Sequence, residues 1–216
     1  MLEITPYLLE GLWMTIQISL ASFALGFVLA AVLTPARVFA GEPVSSLAKA
    51  YIEIVRGTPV LVQLFIVYFG LPSLGVRFDP VTAGIVALGL NSAAYQAEIL
   101  RSAIKSIPES QYLAAESLGM STTQIYRYVV YPQAVRIAIP ALINEVVMLV
   151  KESSLASVIG VAELTRRGEY VVASTFRAFE VYLAVAAIYL VVCYALSRSA
   201  QFMERVFAIP GYGRGA

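Results

Sequence analysis

Between residues 11 and 33 the chain carries no charged side chain, an apolar run long enough to cross a hydrocarbon layer of about 30 Å as one helix. A soluble domain of 216 residues has no interior that could absorb several such runs. Hydrophobic residues make up 59% of the chain and charged ones 13%, against about 45–50% and about 25% in soluble domains. Lipid is the solvent that tolerates this excess, so the sequence predicts an all-α membrane protein built as one domain over residues 1–216.

Apolar windows bounded by charge, proline or glycine place about five transmembrane helices, at about 11–33, 48–71, 81–100, 137–162 and 178–198. The second is short in its apolar part and is extended back through an amphipathic stretch. Arg56-Gly57-Thr58-Pro59 marks a kink within it, with Thr58 able to cap the following helix and Pro59 suited to its first turn. The long polar segment 101–136 keeps helical periodicity through Ile104, Ile107, Leu113, Leu118, Ile125 and Val129, punctuated by Pro108 and Gly119. It is expected to form two short helices at the membrane surface.

Basic residues in short loops are retained on the cytoplasmic side. Arg37, Lys49, Arg56, Arg101, Lys105, Arg127, Arg136, Arg198, Arg205 and Arg214 fall on one side of the predicted spans, and Arg77, Arg166, Arg167 and Arg177 on the other. This asymmetry predicts a multi-pass protein with its amino terminus outside and its carboxyl terminus inside. Glu3 and Glu10, with no basic residue before Trp13, are the wrong charge for a cleaved signal, so the first span is expected in the mature protein.

A net charge of +1 gives no reason to expect nucleic acid as a partner. The lone Cys193 has no disulfide partner, and the absence of histidine removes the usual soft metal ligands, so neither a metal site nor a catalytic site is expected. No phosphate-binding loop, GxSxG elbow or HExxH motif occurs. Gly211, Gly213 and Gly215 read as a flexible end, without the strand that a phosphate cradle needs. The chain is therefore not expected to hydrolyse ATP itself.

The informative feature is the polar content of the fourth span. Asn144 and Glu145, then Lys151, Glu152, Ser153 and Ser154, interrupt an otherwise apolar run. Charges in lipid cost a few kcal/mol each on insertion scales, so they must face protein or water. Helical geometry puts Asn144 and Lys151 on one face with Met148 between them, and Glu145 and Glu152 beside it. Two readings follow: a stripe lining a solute route, in which cation and carboxylates hold the two ends of a zwitterion, or a Lys–Glu pair that fixes helix packing. The serines can bond backbone carbonyls and let the helix open there. At the end of the third span, Glu98 and Arg101 suit a helix-end ion pair, and Ala93, Ala94 and Ala97 suit close helix packing.

In this order, the motifs resemble those of permease subunits of ABC importers for polar amino acids, the histidine, glutamine, arginine and cystine type. Gly11-Leu12-Trp13-Met14-Thr15-Ile16-Gln17-Ile18-Ser19 is similar to the first-span signature of that family. Glu53-Ile54-Val55-Arg56-Gly57-Thr58-Pro59-Val60-Leu61-Val62-Gln63-Leu64-Phe65 resembles its ExxRGTPxLVQLF stretch, Asn91 to Arg101 its AAYxAExxR stretch, and Lys151 to Leu155 its K-x-[ST]-S-L stretch. Residues 111–140 resemble the cytoplasmic loop that docks on the ATPase: Ala114, Ala115, Gly119 and Pro140 match in spacing. The chain departs from that pattern at Leu113, where the family usually has glutamate, and at Ser110, usually glycine; Glu116 is out of register.

The resemblance implies a type I ABC importer permease fold and ATPase coupling through Leu113, Ala114, Ala115, Glu116 and Gly119. It also implies four kinds of partner: a second permease subunit, identical or homologous, two ATP-binding subunits that hold ATP and magnesium, an extracytoplasmic amino-acid-binding protein, and the lipid of the cytoplasmic (inner) membrane. Rival readings are a permease for another small polar solute, an intramembrane enzyme, which the lack of histidine and paired cysteine disfavours, and a channel or non-transport scaffold.

Overall fold

The computed structural model describes residues 4–207, and these are helical with short connections. Helix α1 spans Ile4–Val38, α2 Val44–Gly57 and α3 Val60–Phe65, which continues through a π turn and a 3-10 turn to Leu74. Helix α4 spans Pro80–Lys105 and α5 Glu109–Ser117. Helix α6, Thr122–Ile125, runs through a π turn into α7, Tyr131–Glu152, which tightens to a 3-10 turn over Ser153–Ile159. Helices α8, Leu164–Thr175, and α9, Ala178–Val206, complete the chain. Gly211, Gly213, Gly215 and Arg214 lie outside the described residues.

Among the described residues three helical stretches are long and apolar enough to cross a membrane: 4–38, 122–159 and 178–206. The pair α2 and α3 would be a fourth, but it bends by 105° at Thr58–Pro59. The kink predicted there is thus far sharper than a bent span, and α2 turns steeply away from α3. Thr58 does not cap the following helix. Its hydroxyl bonds back to the carbonyls of Ile54 and Val55, at 3.0 and 3.3 Å, and so ends α2 instead.

Helix α4 has the length of a span, yet its composition is less apolar than that of α1 or α9. The physical reason is its position. Ala83, Ala87, Leu88, Ala93, Ala94 and Ala97 are all essentially inaccessible, so α4 is sheathed by neighbouring helices and needs no lipid-facing surface. Small side chains let the backbones approach. A Cβ added at Gly26 of α1 would lie 3.1 Å from the Ala93 backbone nitrogen and 2.8 Å from the Gln96 side chain, which makes glycine the residue that this crossing requires. Asp79 starts α4 by accepting hydrogen bonds from the Val81 and Thr82 amides, and the Thr82 hydroxyl and amide hold its carboxyl below the ordinary carboxylate range.

The segment 101–136 departs from expectation in one respect. Its first short helix is α5, begun at Pro108 and ended by Gly119 at φ +75°. The second is not separate: α6 is the first turn of the long helix that carries the polar stripe, opened by a reciprocal Ser121 and Gln124 cap. Periodicity alone could not distinguish a surface helix from the extension of a span.

Replacing Gly26 with valine is predicted to force α1 from α4 and to destabilise the protein by about 1–3 kcal/mol. A lower midpoint in a detergent unfolding titration would register this; an unchanged midpoint would mean that the crossing has slack.

Candidate functional site

The 22 residues of α7 divide the predicted stripe into two rows. Asn144, Met148 and Lys151 point outward and are exposed, whereas Glu145 is buried and Glu152 half-buried. The packing alternative, a Lys–Glu pair, does not form: Lys151 has no carboxylate within 4.0 Å among the described residues. Ser153 and Ser154 donate to the carbonyls of Val150 and Lys151 at 2.8 and 2.7 Å, as their residue type suggested, but the helix does not open there as expected: it tightens into a 3-10 turn that keeps its backbone groups bonded.

Glu145 is satisfied by α4. The Ser92 hydroxyl donates to its Oε1 at 2.7 Å, and Gln96 Nε2 donates to Ser92 Oγ at 2.9 Å and to the Phe23 carbonyl of α1 at 3.1 Å. A polar chain therefore runs from α1 through α4 to the carboxylate on α7. The Gln96 side-chain carbonyl oxygen is buried and finds no hydrogen-bond partner among the described residues. Next to Ser92, Asn91 Nδ2 donates to Gln63 Oε1 at 3.2 Å, and Gln63 Nε2 reaches back to the Val55 carbonyl at 2.7 Å. That bracket holds the 105° bend from inside.

A groove of about 670 Å³ opens where Lys151 and Ser154 meet Thr165 of α8 and Tyr189, Cys193 and Tyr194 of α9. Behind it lies a cluster that residue types alone did not reveal. Glu163 is fully buried and caps α8, accepting from the Thr165 and Arg166 amides at 2.9 and 2.7 Å and from the Tyr189 hydroxyl at 2.8 Å. Thr15 of α1 completes it, accepting from the Leu164 amide at 3.3 Å. The sequence signal was available as an acidic residue just before a new helix, but its side-chain partners Thr15 and Tyr189 lie 148 and 26 positions away and have no local signature.

The residues that the resemblance assigns to ATPase docking are all on or beside α5. Leu113, Ala114, Glu116 and Gly119 are exposed, while Ala115 is buried and anchors the helix. Tyr112 of α5 packs edge-on against Tyr126, ring centroids 5.9 Å apart, and Tyr126 in turn meets Phe39 and Tyr131. The predicted Glu98–Arg101 pair forms, with two hydrogen bonds between guanidinium and carboxylate.

Residues 11–208 match the family described as binding-protein-dependent transport system inner membrane component. The chain is 42% identical over 202 residues to the glutamine transport system permease protein GlnP of Escherichia coli (strain K12), covering 93% of this chain and 92% of that one. It is 37% identical to the L-cystine transport system permease protein TcyB of Bacillus subtilis (strain 168), covering 93% and 86%. A crystal structure of an amino acid ABC transporter with histidines superposes with a TM-score of 0.92 at 40% identity, over 95% of this chain and 96% of that one.

Glu163→Ala is predicted to leave two amides and a hydroxyl without their acceptor, at a cost of about 1–3 kcal/mol for an unsatisfied buried group. The thermal midpoint of the purified protein should fall, and by less for Glu163→Gln, which keeps an acceptor oxygen. Equal midpoints for wild type and alanine variant would contradict the role assigned to this carboxylate.

Proposed function

The chain belongs to the family of binding-protein-dependent transport system inner membrane components, as a membrane-embedded permease subunit of the amino-acid ABC importers, and we propose that it forms one half of the route by which a polar amino acid crosses the cytoplasmic membrane. The observation that carries this reading is the outward row Asn144, Met148 and Lys151, which exposes an amide and an ammonium group in the second half of an otherwise apolar helix. Lipid does not tolerate such a row. A second permease, identical or homologous, facing it across a twofold axis would enclose it as an aqueous route.

Within that route Lys151 meets the carboxylate of the amino acid, while Glu152 and the Ser92-bonded Glu145 attract its ammonium group. Ser153 and Ser154 hold the tightened turn that ends α7. The chain supplies no ATP-binding motif, so ATP and magnesium belong to two partner ATPase subunits that contact α5 through Leu113, Ala114, Glu116 and the Gly119 turn, with Ala115 seating the helix. The aromatic contact from Tyr112 to Tyr126 passes the movement of α5 into the long helix bearing the stripe. An extracytoplasmic binding protein delivers the amino acid on the opposite face, near α8. The basic-residue asymmetry supports an amino terminus outside and a carboxyl terminus inside. Relatives that carry glutamine and cystine support a polar amino acid as cargo.

Two outcomes are expected in proteoliposomes. Lys151→Met should lower amino-acid uptake at least about tenfold, as loss of a charge-assisted contact implies, with assembly intact on size exclusion; full uptake by an assembled variant would remove the stripe from the route. Gly119→Pro should abolish the stimulation of ATPase activity by loaded binding protein, because proline cannot adopt the φ of +75° found there. Undiminished stimulation would place coupling elsewhere.

A further inference from the structure

A second cavity, of about 400 Å³, lies between α2, α4 and α7, within the range of about 300–1,000 Å³ typical of small-molecule sites. It is lined by Arg56, Tyr95, Glu98, Ser102, Ile137 and Ala141 among others. Its α7 wall continues the polar row: Ile137, Ala141, Asn144, Met148 and Lys151 recur at spacings of four, three, four and three and so share one helix face. Its α4 wall continues from the partner of Glu145: Ser92, Tyr95, Ile99 and Ser102 also share a face. Ser102 lies ten residues beyond Ser92 toward the α5 end, about 15 Å along the helix.

The cavity carries both signs of charge in geometries that leave them available. Arg56 stacks over the Tyr95 ring, 5.2 Å from its centroid, and has no carboxylate within 4.0 Å among the described residues. Glu98 is held by Arg101 on its own helix, which fixes its orientation yet leaves lone pairs to accept from another donor. Stacked and pre-oriented, the Arg56 fork suits a carboxylate bidentately, and Glu98 suits an ammonium group.

We propose that this cavity is a second amino-acid subsite, at which the transported zwitterion pauses on its way from the Glu145 level toward the cytoplasm, its carboxylate on Arg56 and its ammonium group on Glu98. The proposal rests on the importer reading. It adds that Arg56 and Glu98 come from different helices, α2 and α4, and that α2 is set apart from α3 by the 105° bend, so the subsite is complete only while α2 stays packed beside α4.

The test uses the whole complex, this chain with its ATPase subunits and binding protein, in lipid nanodiscs. Ser102→Cys is introduced together with Cys193→Ala, and the rate of labelling by a trimethylammonium-ethyl methanethiosulfonate is followed with and without L-glutamine, L-arginine or L-cystine. One of these should slow labelling about tenfold, the factor expected for loss or gain of a charge-assisted contact. Adding Arg56→Gln should abolish that protection, and Arg56→Lys, which keeps charge but not the fork, should leave part of it; the lysine variant carries the comparison if the glutamine variant does not assemble. Equal labelling with and without an amino acid that stimulates the ATPase of the same nanodiscs overturns the subsite and leaves the importer reading standing. A complex whose ATPase is stimulated by no amino acid, when all twenty and cystine are tried, loses both.

Discussion

The hydrogen bond from Ser92 to Glu145 joins the sheathed helix α4 to the helix that carries the polar stripe. A carboxylate buried among apolar side chains is costly unless hydrogen-bonded donors meet it, and here one donor is itself oriented by Gln96, which is fastened to the α1 backbone at Phe23. That chain needs α1 and α4 in close contact, which glycine at position 26 makes possible. Packing and polarity are therefore not separate features of this bundle. The small residues of α4 bring the backbones together, and the closeness lets one glutamine, one serine and one glutamate reach each other.

The fold class and the location of the polar stripe were legible because they depend on local pattern. Long uncharged runs mark the helices that face lipid, and Asn144, Lys151 and Glu152 stand out against their neighbours. The central helix was legible as an apolar window over 81–100, less apolar than α1 or α9 because its burial by other helices relaxes the demand for hydrophobicity that makes a span visible. Glycine and proline at 57 and 59 announced a break, but the bend angle is set by tertiary partners, chiefly the Gln63 bracket to Asn91 and Val55. The Lys–Glu alternative could not be decided from spacing. Adjacent positions on a helix point about 100° apart, and which of them faces the bundle depends on where α4 lies.

Two polar centres divide the labour of the molecule. Glu163, with Thr15, Tyr189 and two backbone amides, is saturated by donors from three helices and sits where α8 meets α1 and α9. Arg167 adds a second tie, to Glu10 at 2.5 Å and to the Tyr7 ring. Such a centre fixes geometry. Lys151 has no carboxylate within 4.0 Å among the described residues, and of the carboxylates beside it Glu145 is held by the Ser92 hydroxyl. Groups left with unused hydrogen-bonding capacity can exchange partners as a solute passes, and groups fully engaged cannot.

Helix α7 and the turns before it form one uninterrupted rod from Thr122 to Glu152, roughly 45 Å at 1.5 Å per residue. Its lower end is gripped by the aromatic stack around Tyr126, and its upper end carries Lys151 and Glu152. A rod gripped at one end converts a small tilt there into a larger sideways sweep at the other. Two places along it can flex: the π turn at Tyr126–Val130, next to the grip, and Pro140, whose ring removes one bond of the ladder. Neither lies in the last three turns, so Asn144, Met148 and Lys151 would travel together, as one rigid face.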